Sequence, residues 1–200
     1  MDWRETYEQA AARYEAGEGR YHDERQLVQL ANAAWAAGLC LLMDGDRDGA
    51  TEWLVRAATR YRESWDAGAP RDAWGRPIAA MKALLIAGED ASGAARWALE
   101  ADAPQAESPI GRYAATLALL VLGRKDAAAS VAATLDPPFP ADVAAALRAL
   151  AAGDGDAFSV AVADVRRSYE GRDGYLEDIP VADTALALEA LAATPATRAH

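Results

Sequence analysis

The chain has 200 residues, about a quarter of them alanine, and carries a formal net charge of −11. This length suits a single domain over 1–200, and the scarcity of valine, isoleucine and threonine beside so much alanine favours an all-α fold. The acidic excess excludes the basic surface that binding to nucleic acid or to anionic lipid requires, so we expect neither nucleic acid nor membrane as a partner.

Apolar residues recur at helical spacing in nearly every segment, and glycine or proline interrupts them. The pattern predicts about ten helices that pack in antiparallel pairs. In chain order they lie near 3–16, 24–43, 47–65, 77–88, 91–102, 110–122, 125–135, 140–152, 154–169 and 180–194. The predicted helical-hairpin units lie near 24–65, 77–102, 110–135 and 140–169, followed by a terminal helix over 180–194.

The first hairpin turn has the sequence MDGDRDGATEW, residues 43–53, and begins like a calcium-binding EF-hand loop. Three aspartates alternate over 44–48. Such a loop needs a bidentate glutamate at its twelfth position, where Val55 stands, and an apolar residue at its eighth, where Thr51 stands. We therefore predict that this segment turns the chain between two helices and holds no metal.

The same kind of turn recurs along the chain. Each copy has an apolar helix that ends at glycine, a few polar residues, and a new helix rich in alanine. Glycine can adopt the left-handed conformation that closes a helix, and aspartate can cap the amides of the next one. The copies lie at 43–50, 86–94, 121–128 and 151–158.

Residues 31–58, ANAAWAAGLCLLMDGDRDGATEWLVRAA, resemble a tetratricopeptide-like (TPR-like) unit. The small and apolar positions at which the two helices of such a unit cross are Gly38, Gly45, Ala50, Leu54 and Ala57. Ala34 stands where the family usually has tryptophan, and no proline ends the second helix. The resemblance implies antiparallel helix pairs stacked into a short α-solenoid array.

A second resemblance concerns the acidic, all-helical chain as a whole and its segment YLEDIPVADTALALEALA, residues 175–192. It is similar to helical immunity proteins that bacteria use against their own toxins. This likeness implies an alternative function, an acidic inhibitor that covers a basic toxin surface. No functional residue of that family maps onto a position of this sequence.

The residue sets that carry catalysis or bind metal are missing from the sequence. Cys40 is the single cysteine, and the histidines are His22, in a polar junction, and His200, the last residue. No serine stands in a nucleophile elbow, and no Glu-x-x-His pair, aspartate-rich magnesium motif or phosphate loop occurs. We expect a protein that is not an enzyme, with no cofactor. A helical-bundle enzyme stays a third hypothesis, and it would need a cofactor that the sequence does not reveal.

The N-terminal sequence lacks the basic start and apolar core of a signal peptide. We also expect no uncharged apolar run long enough to span a bilayer. These two features predict a soluble, cytoplasmic protein.

The six tryptophans are the most individual feature of the sequence. Trp35, Trp53 and Trp97 fall at helical positions that predict core packing. Trp65 and Trp74 bracket the long connection SWDAGAPRDAWGRP. Either this connection folds back over the helices, because exposed tryptophan is costly, or the two rings anchor a partner, as tryptophan often does at binding hot spots.

A second long connection covers 169–184 and has the sequence YEGRDGYLEDIPVADT. Asp183 precedes an apolar run and is expected to cap or begin the last helix. If Tyr175, Asp178 and Arg112 line a concave face, they form a second candidate site that grips a peptide. The alternative is a capped and solvated loop.

Helix pairs that bury only one face against a neighbour leave a groove, and grooves bind extended or helical peptides. The sequence therefore predicts a non-catalytic protein-interaction module. Its expected partner is a protein or peptide, or a second copy of the chain itself. The inhibitor is the alternative.

Overall fold

A computed structural model describes residues 1–194 as helices joined by short turns, and no strand occurs in this part of the chain. The ten helices are α1 Trp3–Gly17, α2 Glu24–Asp44, α3 Arg47–Asp66, α4 Gly75–Ala87, α5 Ser92–Glu100, α6 Pro109–Val121, α7 Lys125–Ala132, α8 Ala141–Ala152, α9 Gly155–Glu170 and α10 Asp183–Ala193. The all-α prediction, with about ten helices in packed pairs, is confirmed. The solenoid arrangement stays a prediction.

The helices fall into two compact units. Unit 1 contains Met1–Glu89 and Asp173–Val181, and unit 2 contains Asp90–Arg172 and the described chain from Ala182 onward. The single-domain expectation stays a prediction. So does the hairpin expected over 77–102, because α4 belongs to unit 1 and α5 to unit 2.

Unit 1 is built around α2, which packs against α1 and α3, while α3 also packs against α4. The contact between α2 and α3 is close because Gly38 has no side chain. A Cβ atom at that position would lie 2.7 Å from Cγ of Leu54, and 3.2 Å from the carbonyl oxygen of Ala50. Leu54 is fully buried, so Gly38, Ala50 and Leu54 lie where these helices approach most closely.

The apolar character of α2 corrects one sequence expectation. Its 21 residues include an eighteen-residue window that is long and apolar enough, by length and composition, to cross a membrane. Within the structure 67% of that window is buried. Packing against α1 and α3 accounts for the apolar sequence, since residues 33–41 of α2 are all buried and a helix buried all round needs apolar residues on every face.

All four recurring turns have a glycine in the left-handed conformation, but an aspartate caps the following helix in only two of them. Gly45 and Gly153 end α2 and α8 in the left-handed conformation, with φ of 91° and 71°. Asp46 accepts a hydrogen bond from the Gly49 amide at the start of α3, with an N–O distance of 3.0 Å. Asp154 does the same for the first turn of α9. The turn over 43–53 therefore uses its central aspartate as a helix cap.

Unit 2 is centred on α6, whose residues from Tyr113 to Leu120 are all buried. This helix packs against α5, α7 and α8, and α10 packs against α8 and α9. The last helix begins at Asp183 rather than at 180, so Asp183 opens the helix and Ala182 occupies the cap position without a side-chain hydrogen bond.

Replacing Gly38 tests the close contact between α2 and α3. We expect Gly38→Val to lower the free energy of unfolding by about 1–3 kcal/mol, because the added carbons overlap Leu54 in a filled core. Urea unfolding followed by far-ultraviolet circular dichroism measures this change.

Gly93 is the matched control, since it lies in α5 and an added Cβ would meet no atom within 4 Å. Gly93→Ala is expected to raise the free energy of unfolding by about 0.5–1 kcal/mol through lower entropy of the unfolded chain. Equal stability of Gly38→Val and the unaltered protein would contradict the close contact.

Candidate functional site

The connection that holds Trp65 and Trp74 folds back on itself. The two rings contact each other with centroids 6.1 Å apart and planes tilted by 39°. Trp74 is buried and Trp65 is partly exposed. Tryptophans 35, 53 and 97 are buried, as the helical spacing predicts. Binding of a partner by Trp65 or Trp74 stays a prediction, and the ring of Trp74 is covered within unit 1.

A nearby polar cluster holds the same connection in place. Ser64 is fully buried, and its hydroxyl donates to the carbonyl oxygen of Glu24 over 2.6 Å. The Arg76 guanidinium donates to the same hydroxyl over 2.8 Å and pairs with the Glu24 carboxylate. The cluster joins the start of α2, the end of α3 and the start of α4. Its groups satisfy one another, as a mostly buried charge requires.

Arg112 supports the end of a helix in unit 2. Its guanidinium donates to the carbonyl oxygen of Thr134, just after α7, over 3.3 Å. Arg148 donates to the carbonyl oxygens of Ala132 and Leu135 over 3.0 and 2.8 Å. Carbonyls at a helix C-terminus lack partners within the helix, and cations are favourable there. Both arginines therefore stabilise the end of α7.

Tyr175 and Asp178 lie in the segment Asp173–Val181 of unit 1, which packs against α2. Tyr175 is partly exposed, Asp178 is exposed, and Asp178 has the left-handed backbone conformation with φ of 58°. The fully buried Ile179 anchors the segment. Because Arg112 belongs to unit 2, a peptide site shared by these three residues stays a prediction.

Aromatic and arginine side chains form a cluster on α1 and α3 that the sequence did not reveal. The Trp53 ring meets Tyr7 and Tyr14 edge to face, with centroids 6.1 and 5.2 Å apart. Arg56 covers the Trp53 ring at 4.7 Å, and Arg60 donates to the hydroxyl of Tyr14 over 3.0 Å. Burial raises the pKa of Tyr14. These contacts fix α1 against α3.

The ionisable groups deepest in the protein do not form a reactive pair. Cys40 is fully buried in unit 1, and burial raises the pKa of its thiol to about 11, so the nucleophilic thiolate is scarce at neutral pH. Tyr113 is buried in unit 2, and its pKa is raised by burial and then by the charge of Asp183. His22 is exposed between α1 and α2. His200 lies outside the described residues.

A cavity of about 550 Å³ opens in unit 2, at the turns between α6 and α7 and between α8 and α9, beside the end of α10. We call it the hairpin-end cavity. Its apolar lining includes Leu120, Leu150, Phe158 and Leu191. The sequence marked the two turns as related but did not reveal the cavity, because its walls come from helices distant in the chain.

The hairpin-end cavity is lined by two charged side chains, Asp154 and Lys125, and only Asp154 has a hydrogen-bond partner among the described residues. The Asp154 carboxylate accepts a hydrogen bond from the Ala157 amide over 3.0 Å and so belongs to the first turn of α9. Lys125 is the one cationic side chain among the described residues that line the cavity. Within the described chain no group of three or more histidine, cysteine, aspartate or glutamate side chains is arranged to hold a metal. The cavity thus offers an apolar wall and a single cation.

Removing the Arg76 charge tests the polar cluster around Ser64. We expect Arg76→Gln to lower the free energy of unfolding by about 1.5–3 kcal/mol, because the Glu24 carboxylate and the buried Ser64 hydroxyl lose a charged partner. Urea unfolding followed by tryptophan fluorescence measures the change, since Trp65 and Trp74 lie in the same connection.

Arg71 is exposed in this connection and serves as the control. Arg71→Gln is expected to stay within about 0.5 kcal/mol of the unaltered protein. Equal effects of the two substitutions would show that the cluster contributes nothing specific to stability.

Comparison of this chain with family models, with curated proteins and with solved structures finds no significant match. The TPR-like and immunity-type resemblances therefore stay predictions, based on residues 31–58 and 175–192. What the structure adds to them is the all-helical fold, the polar clusters that hold its turns, and the hairpin-end cavity.

Proposed function

We propose that this chain is a non-catalytic protein-interaction module and that the hairpin-end cavity receives an apolar side chain of a partner polypeptide. The observation that supports this function is the cavity itself, with a volume of about 550 Å³ and walls from three helix ends. Ligand sites commonly have volumes of roughly 300–1,000 Å³ and mostly apolar walls with a few polar groups. The volume of the hairpin-end cavity lies in this range, and its lining combines apolar side chains with Ser92, Lys125, Asp154 and Thr194.

The polar groups of the cavity support binding better than catalysis. Ser92 lines the cavity and stands two residues after Asp90 in the chain. Hydrogen bonds from the Ser92 side chain and amide lower the pKa of the Asp90 carboxyl, which makes it a weaker base for activating that hydroxyl. Asp154 is engaged in capping α9. For the location of the module we propose the cytoplasm, since much of α2 is covered within its own unit.

An acidic inhibitor is the second candidate, and the distribution of charge favours it. Unit 1 holds 18 acidic residues against 11 basic ones, a net charge of −7, which is most of the −11 of the whole chain. Pairing with a basic toxin surface would weaken steeply as salt is added, because mobile ions screen opposite charges. Binding through an apolar cavity would change much less with salt.

Filling the cavity tests the proposed function. Ala192 lines the cavity and is exposed, so Ala192→Trp would occupy the space without disturbing the core. Peptides are selected from a phage-displayed random library on the unaltered protein, and the enriched ones are measured by fluorescence anisotropy. We expect Ala192→Trp to weaken their binding about tenfold or more.

Ala129→Trp is the matched control, because Ala129 is exposed on α7 of the same unit and does not line the cavity. It should leave peptide binding unchanged. Failure to enrich any peptide, or equal binding by both tryptophan variants, would overturn the cavity as the binding site. A dimer in light scattering that Ala192→Trp dissociates would instead identify a second copy of the chain as the occupant.

A further inference from the structure

We infer that Lys125 selects the partner: the hairpin-end cavity takes an apolar side chain next to a single carboxylate of a partner polypeptide, and the Lys125 ammonium pairs with that carboxylate. The inference rests on the proposed function, since it names the chemistry of the segment that this cavity receives. It is argued from the position of Lys125 in the cavity wall and from the fact that no described residue pairs with its ammonium.

Lys125 is one of only two lysines in a chain with eighteen arginines. Its Nζ lies 3.8 Å from where a Cβ of Gly153 would stand, so the ammonium sits over the turn between α8 and α9. No described carboxylate lies within ion-pairing distance of it. The ammonium has three donors, and none is used in a hydrogen bond to another described residue.

Three arginines of unit 2 are engaged with other groups, whereas the exposed Arg124, which precedes Lys125, does not line the cavity. Arg112 and Arg148 support the end of α7, and Arg166 pairs with Glu189. Lys125 is therefore a cation in unit 2 that stands beside apolar walls with its donors still available. The negative end of α8 favours the charge at this place but provides no carboxylate partner.

A bound apolar group would strengthen a pair made by Lys125. When a side chain covers Leu150, Phe158 and Leu191, it displaces water from the ammonium, and the attraction between unit charges rises as the local dielectric falls. Asp154 also lines the cavity and carries a negative charge, so a run of acidic residues would be repelled. The arrangement suits a segment with one carboxylate beside its apolar residue.

The net negative charge of the protein repels an acidic partner mainly during approach, before the two surfaces are in contact. At physiological salt, charges more than about 8 Å apart are largely screened. The local pair with Lys125 therefore contributes to affinity, while the overall negative charge slows association.

Two dyes that share an apolar ring system test this inference without a known partner. 1-Anilinonaphthalene-8-sulfonate carries an anion, and N-phenyl-1-naphthylamine has the same rings without it. We expect Lys125→Gln to weaken binding of the anionic dye about fivefold and to leave the neutral dye within about twofold. Lys125→Arg should restore binding of the anionic dye. Fluorescence titration measures both affinities.

The outcomes separate the inference from the proposed function. If Lys125→Gln changes both dyes equally, or neither, while Ala192→Trp weakens both, the cavity binds apolar groups and the role of Lys125 is overturned. If Ala192→Trp leaves both dyes unchanged, the cavity is not the site and both proposals fail. Among selected peptides, changing the acidic residue next to the apolar one to its amide should weaken binding to the unaltered protein but not to Lys125→Gln.

Discussion

The close crossing of α2 and α3 at Gly38 is the constraint on which unit 1 depends. A chain with so much alanine has few large side chains to fill space, so its helices gain dispersion contacts only by approaching closely. Because Gly38 has no side chain, α2 and α3 can approach closely there, and Leu54 occupies the space that a Cβ would take. The larger rings of Trp35 and Trp53 are also buried in this unit. The same crossing covers α2, which explains its long apolar sequence.

Short helices have many ends, and the backbone groups at a helix end lack partners within the helix. Arginine side chains bind several of these ends in this protein. Arg76 joins the ends of three helices in unit 1, and Arg112 and Arg148 satisfy carbonyls after α7 in unit 2. The planar guanidinium with its several donors suits this work better than an ammonium does. Lys125 differs from these arginines, because it lies beside a cavity and no described residue pairs with it.

The hairpin-end cavity arises from the recurring turn. Gly123 and Gly153 reverse the chain in the left-handed conformation, and neither presents a side chain that would fill the space between neighbouring hairpins. The residues that line the cavity include these turns and the end of α10. The recurring turn thus both joins two helices and forms part of the cavity wall.

The sequence by itself determined the helices and their turns, because alanine propensity, left-handed glycine and aspartate caps act over a few neighbouring residues. Helical spacing was also enough to assign Trp35, Trp53 and Trp97 to the core. It could not show that Trp65 meets Trp74, that Arg112 supports α7, or that Lys125 lines a cavity with no described residue as its partner. Those contacts join residues of different helices, and only the packing of the helices decides which of them meet.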